Sequence, residues 1–265
     1  MPERRGTMEK SLREEIISGL EQQKGHVGFY YKNMVTGDTL AYRDRDRFSA
    51  ASVIKLPVFM ILAKLAAEGR ISMEDKIRIR DEDKVPICGA LTLFTDEPLC
   101  DIRTLCRLMI SISDNTATNV LIDYLGVTRY QEESKKIGLT DTLIARKIYD
   151  SEATARGLVN FIVPAEMGLL LEKIYRRAFV SPEVSKEIED VLMLQQINHK
   201  ICGRIGWDYP VAHKTGEEDD TTHDVGLVYA RQPFVCCFTS NNTDVPTFED
   251  FIRRVSEKLV RVNDQ

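Results

Sequence analysis

The chain has 265 residues, 43% of them hydrophobic and 29% charged, with a net charge of −5. That length suits one large domain or two lobes sharing a site, and the composition is that of a globular protein rather than a disordered or fibrous one. Acid and base are interspersed with no Lys/Arg stripe, which gives no footprint for nucleic acid, and the apolar runs are too short or too interrupted to span a membrane.

The start of the chain, Met1 to Lys10, is charged and lacks the apolar core of a secretory signal. The expectation is a cytoplasmic protein if Met1 is the native start, and an exported one if a leader was removed. From about Met8 to Gln23 the apolar residues Leu12, Ile16, Ile17 and Leu20 recur at helical spacing. His26 to Tyr31 and Leu40 to Tyr42 then flank the turn residues Thr36-Gly37-Asp38, which predicts a β-hairpin.

Beyond the hairpin the pattern turns helical as far as about Gly203, with helices expected over Asp101 to Ile112, Asn115 to Leu125, Val127 to Ile137, Ala165 to Arg177 and Pro182 to Leu194. Strand character returns in Tyr209 to Lys214, Val225 to Tyr229 and Phe234 to Thr239, and a last amphipathic helix carries Phe248, Phe251, Ile252, Val255, Leu259 and Val260. Both ends of the chain therefore build one α/β lobe, about residues 1–45 and 205–265, into which a helical lobe of about 46–204 is inserted. A site is expected in the cleft between them.

Within the apolar run Phe48 to Leu62, one lysine, Lys55, stands three residues after Ser52. A buried lysine needs a partner or a use, and positions three apart share a helix face, so the Ser52 hydroxyl and the Lys55 amine are placed to act as nucleophile and base. Ser113-Asp114-Asn115 marks a break between two helices, and Lys214-Thr215-Gly216 closes a strand that runs into the acidic stretch Glu217 to Asp220. Each of these motifs alone is ordinary. In this order and context the three together are specific.

On these motifs the sequence resembles the class A β-lactamase family of serine hydrolases, from the first helix to the last. The resemblance implies a two-lobed α/β fold: a five-stranded antiparallel sheet with terminal helices, plus an inserted all-helical lobe. It implies that Ser52 is acylated, that Lys55 takes its proton, and that Ser113 passes a proton to the departing nitrogen. Asn115, Lys214, Thr215 and Gly216 would bind substrate, with the backbone N–H groups of Ser52 and Glu217 as the oxyanion hole. The substrate would be a small molecule, a β-lactam or a related amide or ester, and no metal or organic cofactor is required.

The loop glutamate with which the family activates water has no counterpart in context. Counting from Arg146 puts Ile148 at its position, leaving Asp150 and Glu152 as the nearby acids for deacylation. Two alternatives therefore stand beside a β-lactam hydrolase: a cytoplasmic peptidase, esterase or amidase of the same fold, and a penicillin-binding or sensing module without turnover. The acidic run after Gly216 is expected either to repel a carboxylate-bearing substrate or to be an exposed hairpin edge. No histidine falls in metal-ligand spacing, and His213, alternating with Lys214, should face away from the site. The six cysteines suit reduced thiols packed in the core, Cys88 included, although Cys88 lies close enough to the second motif to reach the cleft.

Overall fold

Residues 8–265 are described in the structure, a computed structural model; Met1 to Thr7, on which the reading of localisation rests, lie outside the described residues. Helix α1 (Lys10–Glu21) buries Ile16 and Leu20, and the chain then enters β1 (His26–Asn33) and β2 (Thr39–Tyr42), paired antiparallel through Phe29↔Tyr42. The predicted hairpin is formed. β3 (Phe48–Ser49) leads through a 3₁₀ turn, Ala51–Ile54, into α2 (Lys55–Ala67), where Lys55 to Ala63 are all buried, as expected of a helix that is apolar on every side.

The middle of the chain continues with β4 (Lys76–Arg78), β5 (Leu99–Asp101), α3 (Ile102–Ser111), α4 (Asn115–Leu125), α5 (Val127–Lys136), α6 (Ser151–Ala155), β6 (Phe161–Ile162), α7 (Pro164–Tyr175), α8 (Pro182–Leu192) and α9 (Cys202–Ile205). Local chemistry sets several of these boundaries. Asp101, Asp114, Asp150 and Ser181 each accept a backbone N–H of the first turn, and Pro164 and Pro182 open α7 and α8, where a missing N–H costs nothing. Besides its helices this region holds two short ribbons, β3 with β6 and β4 with β5. The first adjoins the cleft through Ser49, and both are too brief to show a period in the sequence.

β7 (Val211–Glu218), β8 (Thr221–Val228) and β9 (Phe234–Asn241) complete a five-stranded antiparallel sheet of order β2-β1-β9-β8-β7, and α10 (Val245–Asn263) follows. β7 runs four residues past Lys214, the end expected from the sequence, so Lys214-Thr215-Gly216 lies within a strand. Only the tight turn at Asp219 and Asp220 separates it from β8.

The sheet divides two apolar cores. Phe29, Tyr31, Phe234, Cys236 and Phe238 face α1 and α10, whereas Val225, Leu227, Val235 and Cys237 face the helices of the middle region. Adjacent Cys236 and Cys237 thus enter different cores, as strand alternation requires. α7 approaches the inner face so closely that a Cβ on Gly168 would sit 2.3 Å from the Tyr30 ring. Among the described residues no helix is long and apolar enough to cross a membrane.

Candidate active site

The 3₁₀ turn at Ala51–Ile54 puts residues three apart almost in register, and Lys55 Nζ lies 2.9 Å from Ser52 Oγ. The same amine lies 2.7 Å from the Ser113 carbonyl oxygen, 2.9 Å from Ser113 Oγ and 2.8 Å from Asn115 Oδ1. A lysine nitrogen carries at most three protons, so these four oxygens cannot all be acceptors from it at once. When the amine is neutral, a serine hydroxyl is placed to donate to it. Lys214 Nζ completes the cluster, donating to Ser113 Oγ at 3.2 Å and to the Thr215 carbonyl at 2.8 Å. The structure therefore brings Ser52, Lys55, Ser113, Asn115 and Lys214 together.

Both lysines are fully buried. Burial, and then the neighbouring charge of Lys214, hold the Lys55 amine well below the ordinary lysine range. Burial and the charge of Lys200 bring Lys214 down to about 7. The backbone is also unusual here: Ala51, next to the serine, has φ 40° and Ser113 has φ 56°, in the left-handed region that non-glycine residues rarely occupy. Strain of this kind, of order 1–3 kcal/mol per residue, persists only where the surroundings enforce it.

The enforcing contacts can be named. Asp114, almost fully buried, caps α4 through Ala117 N at 2.9 Å and reaches across to Ala90 N and Leu91 N at 2.7 and 2.9 Å. Asp114→Ala is expected to orphan three backbone donors and lower the unfolding free energy by about 2–4 kcal/mol, measured by urea titration. His223 is held neutral, its pKa pushed down to about 4 by burial. It donates from Nε2 to the Ser49 carbonyl at 2.7 Å and accepts the Ser240 N–H on Nδ1, fixing the strand that leads to Ser52. Gly216 allows β7 to lie against the serine turn, since a Cβ there would stand 3.0 Å from Ser52 N and 3.1 Å from Val53 N.

A cleft of about 780 Å³ opens onto Ser52, Ser113, Asn115, Thr215 and Gly216. Ile148 lines it too, its backbone gripped by the Asn119 side chain, whose Oδ1 accepts Ile148 N at 2.9 Å and whose Nδ2 donates to Ile148 O at 3.0 Å. Asp150 spends its carboxylate on the cap of α6, accepting Ala153 N at 2.8 Å, and Glu152 is exposed. Neither is among the residues that line the cleft. Cys88 is exposed at the cleft wall rather than packed; Ile87 and Cys88 both have positive φ, 66° and 65°, and their carbonyls accept from Asn115 Nδ2 and Asn115 N.

The acidic run divides. Glu217 binds Lys200 Nζ at 2.9 Å and His199 Nε2 at 3.3 Å, and the His199 hydrogen bond leads the causes that bring it down to about 2. Glu218 and Asp219 line the mouth of the cleft, and burial raises the pKa of Glu218. His213 lies on the opposite face of β7 from Lys214, held by Asp224 Oδ1 and Asn198 Oδ1 at 2.9 Å each. His199, Glu217 and Glu249 form a group with metal-ligand chemistry, their donor atoms within 4.8 Å of one another. Sequence spacing hides this group because its members come from three separate segments. Lys200, 2.9 Å from Glu217, and His199, whose pKa is raised to about 9 by Glu217 and Glu249, already supply its cations.

This fold and this cluster define a class, and the chain belongs to the Beta-lactamase enzyme family, whose match extends over residues 9–262. A β-lactamase of Rhodobacter capsulatus is 35% identical over 122 residues, which cover 42% of this chain and 38% of that protein. The matched stretch thus spans well under half the length of the first curated relatives. Among solved structures, the β-lactamase from Sphaerobacter thermophilus DSM 20745 aligns with TM-score 0.87 and 25% identity, covering 97% of this chain and 98% of that one. PBP-A aligns with TM-score 0.86 and 27% identity over 95% of each chain. The two-lobed class A β-lactamase-like fold expected from the motifs is the fold found.

Proposed function

We propose that the protein is a serine hydrolase that opens β-lactam amides through an acyl-Ser52 intermediate. The observation that supports it most is the contact of Lys55 Nζ with both Ser52 Oγ and Ser113 Oγ at 2.9 Å. Neutral Lys55 takes the Ser52 proton as Oγ attacks the lactam carbonyl carbon. The C–N bond breaks, Ser113 gives its proton to the departing nitrogen, and Lys55 returns one to Ser113, so the proton balance closes. Lys214 and Thr215 face the substrate carboxylate, Asn115 holds its side-chain amide, and the N–H groups of Ser52 and Glu217 receive the developing oxyanion.

Release of the acyl group is the weaker half. By the count from Arg146, Ile148 takes the position of the family's water-activating glutamate, and Ile148 lines the cleft, which favours a second reading in which the acyl-enzyme persists and the protein acts as a penicillin-binding module. A variant of the similar PBP-A has been solved as an acyl-enzyme complex with penicillin G. Incubation with a fluorescent penicillin and a chromogenic cephalosporin separates the readings. Covalent label with rapid colour supports a hydrolase, and label with little colour supports the binding module. Ser52→Ala is expected to lose all label; a variant that still labels sinks the assignment of the nucleophile, and a wild-type protein that neither labels nor turns over sinks both readings.

A further inference from the structure

Lys200 is a fully buried lysine outside the catalytic cluster, in the turn before α9. Its backbone is anchored on both sides: Arg253 Nη1 donates to the His199 carbonyl at 3.0 Å, and Ile201 N donates to Asp224 Oδ2 at 3.0 Å. The side chain finds three acceptors for its three N–H bonds: the Gly216 carbonyl and the His223 carbonyl, each at 3.1 Å, and Glu217 Oε1 at 2.9 Å. Gly216 and His223 are register partners across β7 and β8. The ammonium therefore lies over the sheet at this one point of the ladder.

The Gly216 carbonyl oxygen and the Glu217 N–H belong to the same peptide group. A charged donor on the oxygen draws electron density along the amide and leaves the N–H more positive, the cooperativity that links successive hydrogen bonds. We propose that Lys200 is a positioning residue that polarises the Gly216–Glu217 peptide and so strengthens its N–H as an oxyanion donor, acting from the face of β7 away from the substrate. This rests on the acyl-Ser52 reading above.

The size of the effect follows from two magnitudes. One oxyanion donor is worth about a hundred- to a thousandfold in rate, and cooperative strengthening is about 10–30% per bond, so loss of the polarisation alone is expected to slow acylation about two- to eightfold. Glu217, bound to the same ammonium, neutralises part of its charge and keeps the effect in this range.

The test compares the wild-type protein with Lys200→Met and Lys200→Arg. Acylation by a fluorescent penicillin is followed by stopped flow, and the acyl-ester carbonyl stretch by infrared difference spectroscopy. Lys200→Met is expected to acylate two- to eightfold more slowly at saturating penicillin, with the ester stretch moved to higher wavenumber because the carbonyl is less polarised. Lys200→Arg, which keeps a charged donor, is expected to restore both. In the free protein the Glu217 amide ¹⁵N resonance reads the polarisation without any substrate, and is expected to move upfield in Lys200→Met and return in Lys200→Arg.

A folded Lys200→Met with unchanged stretch and unchanged resonance overturns the proposal, as does a slower variant whose stretch stays where it was. If Lys200→Met does not fold, Lys200→Arg decides, since an arginine variant with the methionine-like spectroscopic shift contradicts a role for charge at this point. If the wild-type protein is never acylated, the acyl-Ser52 reading falls, and the amide resonance alone still decides whether Lys200 polarises this peptide.

Discussion

Lys55→Met is expected to slow acylation of Ser52 by about two to four orders of magnitude, the usual worth of a positioned general base. Methionine keeps the volume and apolar character of the stem, so α2 retains its packing and the loss isolates the amine. The pH profile gives a sharper signature. The proposed mechanism needs Lys55 neutral, and its folded pKa is depressed, so kcat/KM for acylation is expected to rise with pH through that lowered value. In the proposed mechanism Lys214 meets the substrate carboxylate as a cation, and its charge is lost as pH rises through about 7, which is expected to give a falling limb there. The wild-type protein should show both limbs, Lys55→Met only the falling one, and Lys214→Met only the rising one. A Lys55→Met protein that acylates within threefold of wild type would assign the base elsewhere.

The second large effect is a gain. Ile148→Glu should raise the rate of deacylation by about a hundredfold or more, the range of general-base catalysis, read as loss of the fluorescent label with time and as steady colour from a chromogenic cephalosporin. The backbone is already prepared, since Asn119 grips Ile148 at both its N–H and its carbonyl and the side chain already lines the cleft. What position 148 lacks is a carboxylate, and the substitution adds one there without moving the loop. The cost is a charge in a half-buried position, which the open cleft reduces. A variant that acylates normally and deacylates no faster than wild type shows that water, rather than a base, is missing from this part of the cleft.

The legibility of these parts differed for physical reasons. Ser52 and Lys55 stand out because a lysine in an apolar run violates the ordinary rule of burial and its partner is three residues away. Ser113 and Lys214 are visible only as members of motifs, since nothing local reveals that a helix break and a strand converge on one amine. β7 runs past its expected end because Gly216 and two glutamates are poor strand formers whose strand conformation is imposed by pairing with Thr221 to His223. Asp150 is legible as an acid, and its cap geometry, an aspartate three residues before Ala153 at a helix start, carries the sequence signal that explains it. Lys200 sits in a short polar segment with no motif, and its meaning lies wholly in tertiary contacts to Gly216, His223 and Glu217.

The order of strands in the sheet has a consequence for the nascent chain. β1 is flanked on one side by β2, its sequence neighbour, and on the other by β9, which is made some two hundred residues later, as the register His26↔Asn241 shows. Ser52, Lys55 and Ser113 can all have emerged from the ribosome while Lys214 and the strand that aligns it are still unsynthesised. The centre therefore closes only when the C-terminal hairpin docks, a long-range step that is slow by nature. Until then the serine has no second lysine to depress its base and no complete oxyanion site, so the incomplete chain is expected to be chemically silent towards acyl donors and to switch on only as synthesis ends.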